Sequence, residues 1–276
     1  MQRKKKKRWV FLFLFLLLAV GVWYLNISLL TVTRVEIKDA KIQNPVTIVQ
    51  LTDLHGMTFG KENAGLVQKI QKESPDLIVV TGDMYTYGDE DGKERAFGLL
   101  EGLAQQYPVY YVYGEHDRNT DFMERLSAAG VHVLDYTSEE ITVGQTPIRL
   151  YGITNMYYTS TFDLSNEFTL DDSRYTILLA HISNFEAFAD FGIDLSICGD
   201  THGGQVRLPF LGAVQNRGTW FPEITGGEME RYTKGLYEDE KGDAKLFISS
   251  GLGNFPVPIR LLNFPEIAVI QLLPEA

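Results

Sequence analysis

Cys198-Gly199-Asp200-Thr201-His202-Gly203-Gly204-Gln205 is the stretch on which the reading of this chain turns. It follows the apolar run Leu195 to Cys198 and puts an acid, a hydroxyl, an imidazole and two glycines into one short segment. Four other segments share this design. Asp53-Leu54-His55 follows Val46 to Leu51, and Gly82-Asp83 follows Leu77-Ile78-Val79-Val80. Gly114-Glu115-His116-Asp117 follows Pro108 to Tyr113, and His181 follows Tyr175 to Ala180. Four of the chain's five histidines lie in these segments. One such segment is an ordinary strand-to-turn junction, where Asp and Gly are common. Five of them, each behind a β-rich run, predict a site built where the strands of a sheet emerge.

The segments between the motifs are helical. Asn63 to Lys72 carries Leu66, Val67 and Ile70 on one face, and Lys93 to Gln106 carries Phe97, Leu100 and Ala104. Asp121 to Ala129 is a third helix. Strand alternating with helix predicts βαβ units and a largely parallel sheet. After Gly130, Val131 to Leu134, Ile141 to Val143 and Ile148 to Tyr151 are short strands separated by turns. They predict a second, more antiparallel sheet. Phe185 to Phe191 reads as a helix, and Lys245 to Ser249 and Ile267 to Leu272 as strands. No fixed-period repeat or linker interrupts this part, so residues 45–276 form one α/β domain. Residues 31–44 read as a short strand and juxtamembrane connector.

The N-terminus is of another kind. Residues 1–8 hold six basic groups, and Trp9 to Leu25 is apolar apart from Gly21 and Tyr24. About twenty residues cross the hydrocarbon core, so residues 9–30 suffice for one span. A cleaved signal peptide competes, because Ala19-Val20-Gly21 has small residues at suitable spacing. Val22-Trp23-Tyr24-Leu25 prolongs the apolar run past that point and favours an uncleaved anchor. The six basic residues argue against a buried core helix and predict a cytoplasmic tail, with the large domain outside the membrane. The bilayer is thus an expected partner through residues 9–30.

Over 276 residues the formal net charge is −11. Removing the six basic groups of the tail leaves 25 − 6 = 19 basic against 36 acidic groups, or −17. Such a domain is poorly suited to nucleic acid, whose binding requires phosphate neutralisation. It is suited to holding cations. The single cysteine, Cys198, reads as a small buried apolar residue and excludes an intrachain disulfide.

The motif side chains suffice for two metals. Asp53, His55, Asp83 and His202 supply two carboxylates and two imidazoles to a first ion. Asp83 can bridge to a second ion that takes His181, with Glu115 and Asp200 as further carboxylates. Two such ions bind the attacking and leaving oxygens of an in-line displacement at phosphorus, and the hydroxide between them is the nucleophile. His116, oriented by Asp117, is placed to protonate the leaving group. Arg260 is a candidate for binding phosphate bidentately.

The order D-x-H, GD, G-x-H-D, a lone H, and G-x-T-H-G-G-Q resembles the calcineurin-like metallophosphoesterase superfamily. Gly251-Leu252-Gly253, Pro258-Ile259-Arg260 and Pro265-Glu266-Ile267 are similar to the C-terminal pattern of a membrane-anchored bacterial branch. Some members of that branch are similar to phosphodiesterases that hydrolyse UDP-diacylglucosamine. The resemblance covers residues 45–273. It implies a two-sheet α/β sandwich flanked by helices, with a dinuclear site at the sheet edges, and hydrolysis of a phosphodiester or phosphomonoester. It implies the same first-metal ligands, Asp83 and His181 for the second metal, and His116 as the catalytic histidine.

Two positions depart from that pattern. Glu115 stands where the family has Asn, and Asp200 where it has His. Both fall on the second metal. Carboxylates there favour harder ions, so Mn²⁺ is expected first, with Zn²⁺, Fe or Mg²⁺ as alternatives. An ionised Glu115 cannot donate to phosphate as the family's Asn does. The competing function is therefore a degenerate relative that binds metal or phosphate without turnover.

Overall fold

The computed structural model describes residues 2–155 and 157–275. Helix α1 (Gln2–Ser28) leads into strand β1 (Thr31–Asp39). Then follow β2 (Val46–Leu51), α2 (Ala64–Glu73), β3 (Leu77–Thr81), α3 (Glu90–Ala104), β4 (Val109–Val112), α4 (Thr120–Ala128) and β5 (His132–Val133). The second half holds β6 (Thr137–Val143), β7 (Thr146–Gly152), β8 (Tyr175–Leu179), α5 (Phe185–Phe191) and β9 (Leu195–Cys198). Two small hairpins occupy 207–220, and β10 (Gly235–Glu238), β11 (Lys245–Ile248) and β12 (Glu266–Pro274) complete the chain.

Two six-stranded sheets face each other, ordered β1-β12-β2-β3-β4-β5 and β10-β11-β9-β8-β7-β6. The motif-bearing strands are apolar on both sides because both of their faces are buried. Ile48, Val79, Tyr110, Ile177 and Ile197 meet between the sheets. Val49, Val80 and Tyr111 point the other way, onto Leu66 and Ile70 of α2, Leu100 of α3 and Phe122 of α4. On the far side, Leu178 and Cys198 pack with Phe185 and Phe188 of α5. The result is a four-layer α/β/β/α sandwich. Cys198 is fully buried there, as expected of a small apolar residue.

The strands depart from the expected arrangement in three details. The short strand expected within residues 31–44 is β1, and it is part of the first sheet rather than of a connector: it pairs in parallel with β12 over nine positions, Thr31↔Glu266 to Asp39↔Pro274. The folded domain therefore begins at Thr31. The second sheet is more antiparallel than the first, but only at its margins. Its central pairs, β11·β9, β9·β8 and β8·β7, are parallel, and only the outer pairs with β10 and β6 are antiparallel. Finally, His132 and Val133 belong to the first sheet, beside β4.

Lys7–Ser28 is 22 residues long and apolar enough to cross a membrane. At 1.5 Å per residue it spans about 33 Å. Most of its side chains stand clear of the domain: Trp9 is 70% and Phe11 73% exposed.

Candidate active site

The parallel strands deliver their motifs to one edge of the sandwich, because parallel strands all end on the same side. Asp53 and His55 follow β2, Asp83 follows β3, and Glu115, His116 and Asp117 follow β4. His181 follows β8, and Asp200 and His202 follow β9. Asp53, His55, Asp83, Asp200 and His202 all have left-handed φ, between 47° and 71°. L-residues rarely adopt this region, so the surrounding fold must over-determine it. The loops also touch closely. A Cβ on Gly114 would lie 2.2 Å from Oδ1 of Asp83. We expect Gly114→Ala to displace that carboxylate and weaken metal affinity by about tenfold or more, measured by chelator competition.

Asp83 is the centre of the cluster. Its Oδ2 lies 3.7 Å from His55 Nε2 and 3.4 Å from His181 Nε2. Its Oδ1 accepts the backbone N–H of His116 at 2.9 Å. His55 Nε2 and His202 Nε2 approach to 3.2 Å, and His202 Nε2 is 3.8 Å from Asp53 Oδ1. Ligand atoms of three trios come within 4.8 Å of one another: Asp53, His55 and His202; Asp53, Asp83 and His181; His55, Asp83 and His116.

The donor set fits divalent cations. His181 Nδ1 lies 2.7 Å from the Thr81 carbonyl oxygen. A carbonyl only accepts, so Nδ1 carries a proton and donates it. This leaves Nε2, facing Asp83, free for a metal. That Nε2 is buried and without a hydrogen-bond partner, as is Nδ1 of His202. Burial raises the Asp53 carboxyl to about 7, although positive charge on His181 opposes it. Burial lowers His55 to about 3 and His202 well below the usual imidazole value. Burial also opposes charge on Asp83 and His181. Their mutual attraction prevails, holding the carboxyl low and the imidazole high. Without metal, therefore, a proton on His181 supplies part of the positive charge that the carboxylates demand.

Several expected site residues are placed differently. Glu115 is exposed and belongs to none of the three trios, although it lines the adjoining cavity. Asp200 comes within 3.8 Å of His181 Nε2, but its other oxygen pairs with Arg217. Asp117 does not orient the His116 ring. Its carboxylate accepts from the Tyr111 hydroxyl at 2.6 Å and from the backbone N–H groups of Gly114 and Met84 at 2.7 and 2.8 Å. It shapes the loop that carries His116. His116 itself packs edge-on against Phe255, with ring centroids 4.4 Å apart.

Arg260 is not available to phosphate. It is 2% exposed, and its guanidinium donates to the carbonyls of Ser250 at 2.8 Å and Gly253 at 2.6 Å. It fastens the turn whose Gly253 N–H reaches the Asp53 carbonyl at 2.5 Å. Burial lowers its pKa to about 10. Arg217 lines the cavity instead, a space of about 460 Å³ also bordered by Asp83, His116, His202, Gln205 and Phe255. Sequence reasoning missed Arg217 because it lies in a hairpin outside every motif. Its one signal was a basic residue between two turn-forming neighbours, Asn216 and Gly218. Tyr85 is buried in the core and Tyr87 is exposed. Tyr157 is the tyrosine on the cavity wall.

A buried Asp/His cluster at the strand ends of an α/β/β/α sandwich defines a metal-dependent hydrolase of phosphoric esters. The chain belongs to the calcineurin-like phosphoesterase family, whose model matches residues 46–204. It is 28% identical over 262 residues to the uncharacterized metallophosphoesterase YkuE of Bacillus subtilis, covering 90% of this chain and 87% of that protein. It is 28% identical over 239 residues to the phosphodiesterase YaeI of Escherichia coli, covering 83% of each. Among solved structures, the NAD nucleotidase of Haemophilus influenzae is similar at 14% identity and a TM-score of 0.43. That match covers 75% of this chain and 45% of that one.

Proposed function

We propose that the protein is a membrane-anchored phosphodiesterase or phosphomonoesterase with a dinuclear centre, acting outside the cytoplasm. The observation that carries this reading is the convergence of Asp53, His55, Asp83, His181 and His202, with the His181 Nε2 that faces Asp83 buried without a partner. Asp53, His55, Asp83 and His202 would hold one ion; Asp83 and His181 would hold the other, with Asp200, 3.8 Å from His181 Nε2, at its edge. With Glu115 outside, the second site is less anionic than the motif alone implies. Mn²⁺ suits this mixture of carboxylate and imidazole, with Fe, Zn²⁺ or Mg²⁺ as alternatives. The ions supply Lewis-acid charge and lower the pKa of water.

The chain's own residues do the rest. Arg217 is placed to bind the phosphoryl oxygens as they enter the cavity. The Asp200 carboxylate keeps its guanidinium turned towards the centre. His116 donates a proton to the leaving oxygen, so that water and a phosphodiester yield an alcohol and a monoester. Phe255 covers the rings of His55 and His116, at 4.5 and 4.4 Å, and keeps bulk water off that side. Residues 1–8 are the cytoplasmic tail and 9–30 the anchor, which makes a lipid-linked or envelope phosphoester a natural substrate.

The test is metal analysis of the purified chain, followed by assay on bis(p-nitrophenyl) phosphate with added Mn²⁺. Turnover that disappears on chelation and returns with Mn²⁺ is expected. Arg217→Ala should raise KM about tenfold and leave kcat within a few fold, because it removes a contact made in both ground and transition states. The Asp200–Arg217 pair also favours a second reading, in which Arg217 takes the place of the second ion and the protein binds one metal without turnover. One ion per chain and no hydrolysis with any metal would establish that reading instead.

A further inference from the structure

The end of α1 is fastened to one loop of the domain, residues 254–262. Trp23 Nε1 donates to the Pro258 carbonyl at 2.7 Å, and Asn26 Oδ1 accepts the Leu262 N–H at 2.8 Å. Asn254 Nδ2 donates to the Ile27 carbonyl at 2.9 Å. The loop therefore sits beside the last six residues of Lys7–Ser28, a length of about 9 Å at helical rise.

This loop has two unlike faces. Phe255 and Arg260 turn inward, Phe255 onto His55 and His116 and Arg260 onto backbone carbonyls. Val257, Ile259, Leu261 and Leu262 turn outward and are 39–54% exposed. The neighbouring hairpin continues the outward face. It joins the loop through Arg207 N–H to the Leu261 carbonyl at 3.0 Å, and its tip carries the fully exposed Phe210 and the partly exposed Leu211. Arg260 is the one charged residue in 254–262, and 208–213 has none, in a domain of net charge −17. Contiguous exposed apolar side chains mark a contact surface.

We propose that this rim, Val257, Ile259, Leu261 and Leu262 with Phe210 and Leu211, inserts into the bilayer that α1 crosses. The inference rests on the anchoring stated above. The occupant follows from continuity. A helix that spans the membrane holds the loop at the depth of Trp23 to Ile27, the interfacial level where amphipathic rings settle. A charge-free surface is the kind that can enter there. The same loop is a wall of the catalytic cavity: Gln205 donates to the Phe255 carbonyl, and both residues line it. The rim thus holds the cavity mouth at the level of lipid headgroups and phosphates.

The test uses the full chain in phosphatidylcholine–phosphatidylglycerol vesicles, with a polarity-sensitive fluorophore on single introduced cysteines. Cys198 is buried and serves as the unlabelled background. Probes at Ile259→Cys and Phe210→Cys are expected to be blue-shifted. Shallow spin-labelled lipid should quench them at least about twofold more than a probe at Glu240→Cys. A probe at Leu16→Cys reports the anchor separately. If the Leu16→Cys probe is in lipid while both rim probes are in water, the rim proposal is overturned and the anchor stands. If all three are in water, the anchoring reading fails and the rim with it. Blue-shifted rim probes that lipid quenchers do not reach would mean protein covers the face, for example a second copy of this chain, and would also overturn the proposal. Phe210→Cys provides a second reading if Ile259→Cys disturbs the loop.

Discussion

Asp83→Asn is expected to remove at least half of the bound metal and to lower kcat/KM by about a thousandfold or more. Asp83 is the side chain common to the His55 and His181 contacts, at 3.7 and 3.4 Å. An amide has nearly the same shape. Its oxygen can still accept the His116 N–H that Asp83 accepts at 2.9 Å. What it loses is charge. The carboxylate holds the His181 imidazole above its usual pKa and offers anionic oxygen to both proposed ions. With Asn, His181 becomes neutral, and its free Nε2 can accept from the new amide N–H₂. The fold therefore has a way to survive while the metal site does not. Elemental analysis and circular dichroism on the same preparation separate the two. Full metal content in a folded Asp83→Asn protein would show that Asp83 is not the bridge.

The first sheet and its motifs were legible in the sequence for a local reason. Strands buried on both faces must be apolar throughout, and the parallel strands bring their polar ends to one edge. Val46–Leu51, Leu77–Thr81 and Val109–Val112 are read from their own residues alone. The partner of β1 was not legible, because it is β12, 235 residues away for the Thr31↔Glu266 pair. Nothing in Thr31–Asp39 names that partner. The direction of pairing in the second sheet was hidden for the same reason. At the site, the motifs show which side chains stand near the strand ends but not where each one points. Glu115 and Asp117 are two residues apart. One faces solvent and the other is fully buried on Tyr111 and two backbone N–H groups. Arg260 was the arginine expected to reach phosphate, but burial, not residue type, decides which guanidinium a phosphate can reach: Arg260 is enclosed, whereas Arg217 lines the cavity.

His116→Gln tests the division between holding metal and moving protons. We expect metal content to stay at the unmodified value and kcat on an alkyl phosphodiester to fall about 10²- to 10⁴-fold, the range for loss of a general acid. The geometry makes this a demanding prediction. A nitrogen of the His116 ring lies within 4.8 Å of ligand atoms of His55 and Asp83, so coordination is within reach. Two features argue for the proton role. The Asp83 oxygen nearest this loop is engaged by the His116 backbone N–H, a bond any side chain at 116 preserves. The ring lies on the cavity wall against Phe255, where a leaving alcohol would depart. Leaving-group chemistry distinguishes the roles. A p-nitrophenolate departs without a proton, so His116→Gln should lose much less rate on bis(p-nitrophenyl) phosphate than on an alkyl ester. A lost ligand would instead slow both substrates alike and reduce bound metal. Equal losses with depleted metal would move His116 into the ligand set. The proton for the leaving oxygen would then have to come from another donor at the cavity, or from water.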